Sequence, residues 1–144
     1  MGKIRLKPDE IKYITLFETL TGATIKDCIQ EEGVMGFLVK KGDMGLAIGK
    51  NGSNIERVKK VIGKGIWITE FSDDLNEFVK NLFQPIKIKH IRIHDTDNEK
   101  IVILEINKRD RKMVIGHNGN RIKIAKKLVK RHFAIDDIKI KTTY

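Results

Sequence analysis

The sequence predicts an α+β protein made of two tandem units, each running α-β-β-α-α-β with a three-stranded sheet packed on helices. Self-similarity is the first observation behind this. At an offset of 67 residues, Ile48-Gly49-Lys50-Asn51-Gly52-Ser53-Asn54-Ile55 falls on Ile115-Gly116-His117-Asn118-Gly119-Asn120-Arg121-Ile122, and five of these eight positions are identical. The match continues upstream without a gap, pairing Lys41 with Lys108, Asp43 with Asp110, Leu46 with Met113 and Ala47 with Val114. A match at fixed offset is the signature of a repeat. Length is the second observation, because 144 residues make one ordinary domain or two very small ones. The third is that helical and strand-like patterns follow in the same order in both halves. The units divide as residues 1–72 and 73–144.

Pro8 stands where a helix can begin, Ile11, Ile14, Phe17 and Leu20 share one face, and Gly22 suits the position after the last turn, so the first helix spans residues 8–21. Strands at 24–31 and 36–41 surround a turn at Glu32-Gly33. Cys28 lies among the isoleucines of the first of these strands and reads as a structural thiol. Asp43 is placed to cap a short helix leading into Gly49. Ser53 and Glu56 have the spacing of a capping box for the next helix, whose buried face is Ile55, Val58, Val61 and Ile62. Gly63 and Gly65 end that helix before a strand at 66–71. The second half follows with a helix at 73–83 stopped by Pro85, strands at 86–94 and 100–107, a short helix, the glycine loop, a helix at 120–133 and a strand at 138–142.

Composition bounds the function. With 40% hydrophobic residues the chain has enough apolar surface to fold, and no apolar run approaches the roughly 20 residues that span a bilayer. Residues 1–7 mix charges with apolar side chains, so no secretory leader is expected, and Leu6 stands where a myristoylation signal requires Ser or Thr. The expected location is the cytoplasm. One cysteine excludes an internal disulfide and a Cys-rich zinc module. His90 and His94 fall in a strand-like run, no catalytic nucleophile and base stand at interpretable spacing, and no metal, cofactor or enzymatic activity is expected. The net charge of +10 points to a polyanionic partner. It is unevenly placed: 12 basic and 9 acidic residues give +3 before residue 73, and 17 and 10 give +7 from residue 73 onward.

The repeated Ile-Gly-x-x-Gly-x-x-Ile is where chemistry concentrates. Asn-Gly is a strong hairpin signal. Here a 3.6 period follows the second glycine and no alternation precedes the first, which argues for a turn between helices. A phosphate-binding P-loop fails because Met44 replaces its first glycine and Asn51 its metal-binding hydroxyl residue. A glycine at each end lets two helices meet sharply, and the second helix then presents its N–H groups and positive dipole end to a sugar-phosphate chain. Lys50 adds a full charge in the first copy, whereas His117 and Asn118 offer weaker or hydrogen-bonding contacts in the second. Ile48 and Ile55, with Ile115 and Ile122, either flank a groove for unstacked bases or belong to the core. Lys59, Lys60, Arg121, Lys123, Lys126, Lys127, Lys130 and Arg131 either extend the cationic surface or are merely solvated. Trp67 and Tyr13 read as packing residues, and with 6% aromatic residues no base-stacking platform is indicated.

With these motifs in this order, each unit resembles a type II KH domain, and the tandem arrangement, almost without a linker, resembles the archaeal NusA family. The resemblance covers nearly the whole chain. It implies binding of single-stranded RNA by Gly49, Lys50, Asn51 and Gly52 and by Gly116, His117, Asn118 and Gly119. Ile48, Ile55, Ile115, Arg121 and Ile122 lie beside them as further candidate contacts. The implied role is in transcription elongation, termination or antitermination near RNA polymerase, by a monomer that makes no membrane contact. His117 departs from the Lys or Arg common in such loops. The alternatives are an RNA adaptor in ribosome assembly and a protein-docking subunit whose fold no longer binds RNA.

Overall fold

A computed structural model of the chain describes residues 6–144. The reading of the first five residues lies outside them, as does the part of the 1–72 unit that they form. The described chain separates into two compact units on either side of the junction between Asp73 and Asp74.

In the first unit, helix α1 (Pro8–Thr21) begins with the Glu10 carboxylate accepting the Lys7 backbone N–H at 2.9 Å and ends at Gly22 in the left-handed conformation. Strands β1 (Ile25–Glu31) and β2 (Val34–Val39) form an antiparallel hairpin. Its turn is Glu32-Gly33, with φ of 48° and 79°, the positive pair that matches strand twist. The second strand thus begins two residues earlier than its sequence pattern indicated, because the turn is only two residues long. After helices α2 (Met44–Ile48) and α3 (Ser53–Ile62), strand β3 (Gly65–Glu70) returns parallel to β2, giving the order β1-β2-β3. Register places Cys28 opposite Phe37 and Phe37 opposite Ile68, so one sheet face meets Phe17 of α1, Ala47 of α2 and Val58 of α3 in the core. Burying a side chain of this kind stabilises the fold by about 1.5–3 kcal/mol. Cys28 is fully buried there, as a structural thiol should be. Tyr13 packs against the same core.

The second unit repeats the plan. Helix α4 (Leu75–Leu82) follows Asp74, and strands β4 (Ile88–Asp95) and β5 (Lys100–Asn107) pair antiparallel. Helices α5 (Arg111–Ile115) and α6 (Asn120–Phe133) follow, and strand β6 (Asp137–Thr143) pairs parallel with β5. Val102, Leu104 and Ile106 are fully buried, and with an offset of 67 they stand at the positions of Met35, Phe37 and Val39. His90 and His94 both lie on β4, in accord with the strand pattern. Among the described residues no helix is long and apolar enough to cross a membrane, and no three His, Cys, Asp or Glu side chains are grouped to hold a metal.

Three local expectations are corrected. Ser53 and Glu56 form no capping box: Gly52 is the N-cap in the left-handed conformation, Ser53 is already helical, and Glu56 instead meets Lys59 at 3.4 Å. Asp43 precedes α2 but does not cap it, since its carboxylate accepts the Thr24 N–H at 2.9 Å and ties the end of α1 to the start of α2. Val61 is 51% exposed, because the buried face of α3 centres on Val58, and a residue three positions on drifts off a stripe already filled by Ile55 and Ile62.

Candidate nucleic-acid interface

Each glycine loop is a single turn between two helices. Gly49 ends α2 at φ 74° and ψ 171°, Lys50–Gly52 form a tight turn with Asn51 at φ 56° and ψ 28°, and Gly52 leads into α3 at φ 77° and ψ 13°. In the second copy Gly116 stands at 79° and 173°, Asn118 at 53° and 25°, and Gly119 at 72° and 15°. The Gly52 N–H donates to Gly49 O at 3.1 Å, and Gly119 to Gly116 O at the same distance. Asn tolerates the left-handed region better than any residue but glycine, which accounts for Asn at the third position of both turns.

The two glycines of a loop are required for different reasons. A Cβ on Gly49 would stand 2.8 Å from the backbone nitrogen of Asn54 and 2.7 Å from its side chain, and one on Gly116 would stand 2.9 Å from the Arg121 nitrogen. The first glycine is therefore needed both for its φ and for close helix approach. A Cβ on Gly52 or Gly119 would meet nothing nearer than 3.9 Å or 3.6 Å, so there only the φ demands glycine.

A second tie was missed by sequence reasoning. The Asn54 side-chain amide donates to Leu46 O at 2.7 Å, binding the start of α3 to α2. Arg121, 67 residues later, reaches Met113 O at 3.5 Å, and Met113 is the counterpart of Leu46. The signal was present in the repeat alignment, where two side-chain donors occupy one position. Arg121 goes further: its guanidinium donates to Gln84 O at 2.6 Å and Leu82 O at 3.3 Å, and lies 5.9 Å from the Phe83 ring. Burial lowers its pKa from the ordinary value. The sequence singles out Arg121 as a candidate RNA contact; in the structure its guanidinium is turned to the protein's own carbonyls. It is engaged in holding α6 to the end of α4 and to α5.

Lys50, Asn51, His117 and Asn118 are exposed, and no side chain caps the helix that follows either loop. Two turns of backbone N–H groups and helix dipoles therefore face outward. The isoleucines divide. Ile48 is 40% exposed beside the first loop, whereas Ile55 is half-buried against the core. Ile115 and Ile122 are half-buried. Leu46 and Met113, paired by the repeat, are exposed at 50% and 54%, so each unit has its own apolar margin next to its loop, Leu46 with Ile48 in the first and Met113 in the second, which the sequence did not single out. Lys60, Lys123, Lys127 and Lys130 are exposed on α3 and α6, whereas Lys59 pairs with Glu56 and Lys126 with Asp137 at 3.2 Å. Trp67 is half-buried on β3.

Comparison with known proteins accords with this geometry. A model of the NusA-like second KH domain matches residues 75–143, and a KH domain model matches residues 11–70. A probable transcription termination protein NusA of Methanocaldococcus jannaschii is 36% identical over 140 residues, which are 97% of this chain and 76% of that protein. The probable transcription termination protein NusA of Halobacterium salinarum is 32% identical over 137 residues, 95% of this chain and 98% of that one. The crystal structure of APE1850 superposes with a TM-score of 0.79 at 33% identity, covering 94% of this chain and all of the other.

Proposed function

Because the chain belongs to the NusA family of tandem KH-domain proteins, we propose that it is a non-enzymatic RNA-binding protein of transcription termination, with roles in elongation or antitermination and with RNA polymerase as its protein partner. Single-stranded RNA is its ligand. Residues 1–72 and 73–144 act as one KH unit each, and each places a loop against the sugar-phosphate backbone. Gly49, Lys50, Asn51 and Gly52 form one clamp, and Gly116, His117, Asn118 and Gly119 form the other. Ile48, with Leu46, and Met113, beside Ile115, supply apolar contact to unstacked bases.

The observation that carries this reading is the duplicated turn. Two loops with the same backbone angles each open the uncapped N-terminus of a helix of at least ten residues. Backbone conformation and helix packing set the turn, and its exposed tip residues, which meet no core, are left to a ligand.

Titration with single-stranded RNA across a range of salt concentrations tests the reading. If the loops and neighbouring lysines neutralise on the order of five phosphates, log affinity against log salt has a slope of about −3.5. A slope near zero contradicts electrostatic clamping. Crosslinking in cell extract tests the placement, with RNA polymerase expected to be captured and pre-ribosomal particles to be absent.

A further inference from the structure

The outer faces of the two sheets, turned away from the helices, differ in a way the loops do not explain. Register makes the faces comparable residue by residue. In the first sheet Asp27 and Thr69 both pair with Leu38, and Ile29 pairs with Gly36; Asp27, Ile29, Leu38 and Thr69 are all nearly or fully buried. In the second sheet His90 and Lys141 both pair with Glu105, and Arg92 and Lys139 both pair with Ile103. His90, Arg92, Lys139 and Lys141 are exposed there, as is His94 one step along β4. The same surface of the same fold is closed in one unit and open and basic in the other.

This open face has a shape as well as a charge. His90, Arg92, His94, Ile103, Glu105 and Lys141 line a depression of about 150 Å³. Arg92, Lys139 and Lys141 outnumber the one carboxylate among them, Glu105; Asp137 at the end of the face is held by Lys126 at 3.2 Å. Ile103 supplies an apolar patch in the middle.

We propose that this face docks an extended acidic segment of a protein partner, whose carboxylates meet Arg92, Lys139 and Lys141 and whose apolar side chain covers Ile103. The charge is complementary to such a segment and steers its approach. An extended peptide shows alternate side chains to one face, so an apolar residue can sit between two acids and avoid Glu105. A nucleic acid presents a phosphate at every nucleotide and gains most from stacking on large aromatic rings, whereas this face has no Phe, Tyr or Trp and carries the Glu105 carboxylate on its central strand.

The test uses the full chain and a fluorescent peptide about eight residues long, to match β4, whose alternate positions read Glu, Val, Glu with Ser between them, so that acids and an apolar side chain share one face. The parent protein is expected to bind it. R92E/K141E should weaken that binding at least tenfold while leaving single-stranded RNA affinity within twofold of the parent, and K50D/N51D should leave peptide affinity unchanged. R92Q/K141Q replaces the charge reversal if circular dichroism shows the first variant unfolded, and it should weaken the peptide several-fold. Failure of the parent to bind the peptide, or equal binding by the parent and the folded variant, overturns the proposal. So does a loss of RNA affinity in R92E/K141E, which would assign the face to RNA.

Discussion

Gly49, Asn51 and Gly52 hold φ values of 74°, 56° and 77°, and Gly116, Asn118 and Gly119 hold 79°, 53° and 72°, yet the residue after the first glycine is Lys50 in one loop and His117 in the other. The contrast separates what the turn needs from what a ligand needs. Two glycines and an asparagine are fixed by backbone conformation, and the first glycine also by the next helix, whose backbone nitrogen would lie 2.8–2.9 Å from a Cβ placed there. The charged tip is free to vary. The position five residues beyond the first glycine shows the same economy, since Asn54 and Arg121 both tie the two helices of their loop although one is neutral and short and the other long and charged.

The comparison can be broken most forcefully at the glycines. Gly49→Ala and Gly116→Ala each combine strained φ with a clash against backbone, and each should lower unfolding stability by about 2–4 kcal/mol in urea titration. Gly52→Ala and Gly119→Ala carry the strain alone and should lose only about 1 kcal/mol. Equal losses at all four would show that crowding by Asn54 and Arg121 does not distinguish the first glycine. The next contrast is at the tie. Arg121→Gln leaves the Leu82 and Gln84 carbonyls short of a donor and should lower stability by about 1–3 kcal/mol, whereas Asn54→Ala, which frees one carbonyl at an exposed site, should lose about 0.5–1.5 kcal/mol. If Arg121→Gln were as stable as the parent and weakened RNA binding, Arg121 would serve RNA contact rather than the tie. The smallest effects belong to the apolar margin. Leu46→Ala and Met113→Ala should leave stability within about 0.5 kcal/mol, as exposed substitutions do. Each should weaken single-stranded RNA modestly in fluorescence titration, and to a similar degree.

Much of this architecture was legible from local pattern. The helices at 8–21 and 120–133 and the strand at 100–107 have the bounds that periodicity and terminal residues indicate, because long amphipathic stretches with clear stops leave little room for another solution. What escaped the sequence depends on partners distant along the chain or on one backbone angle. Ser53 looked like an N-cap because Ser-x-x-Glu ordinarily is one, but the left-handed Gly52 hands the helix its first residue one position early. Arg121 looked like surface charge because it sits in a basic helix. The carbonyls that capture it, at Leu82 and Gln84, lie 39 and 37 residues away, and no motif announces which carbonyl past a helix end a distant side chain reaches. Asp43 was diverted in the same way, by the Thr24 N–H.

The glycine loops clamp the RNA backbone in this account, and Lys50 makes the first the stronger. Single-stranded RNA titration of K50D/N51D beside H117D/N118D tests this most directly, because both variants keep all four glycines and should stay within about 0.5 kcal/mol of parental stability. K50D/N51D turns two carboxylates toward the phosphates and removes the lysine cation, which should weaken binding by about 2–4 kcal/mol. H117D/N118D removes no lysine and should weaken it by less. A folded K50D/N51D protein that binds RNA as tightly as the parent would contradict the clamp, and equal losses in the two variants would contradict the weighting toward Lys50.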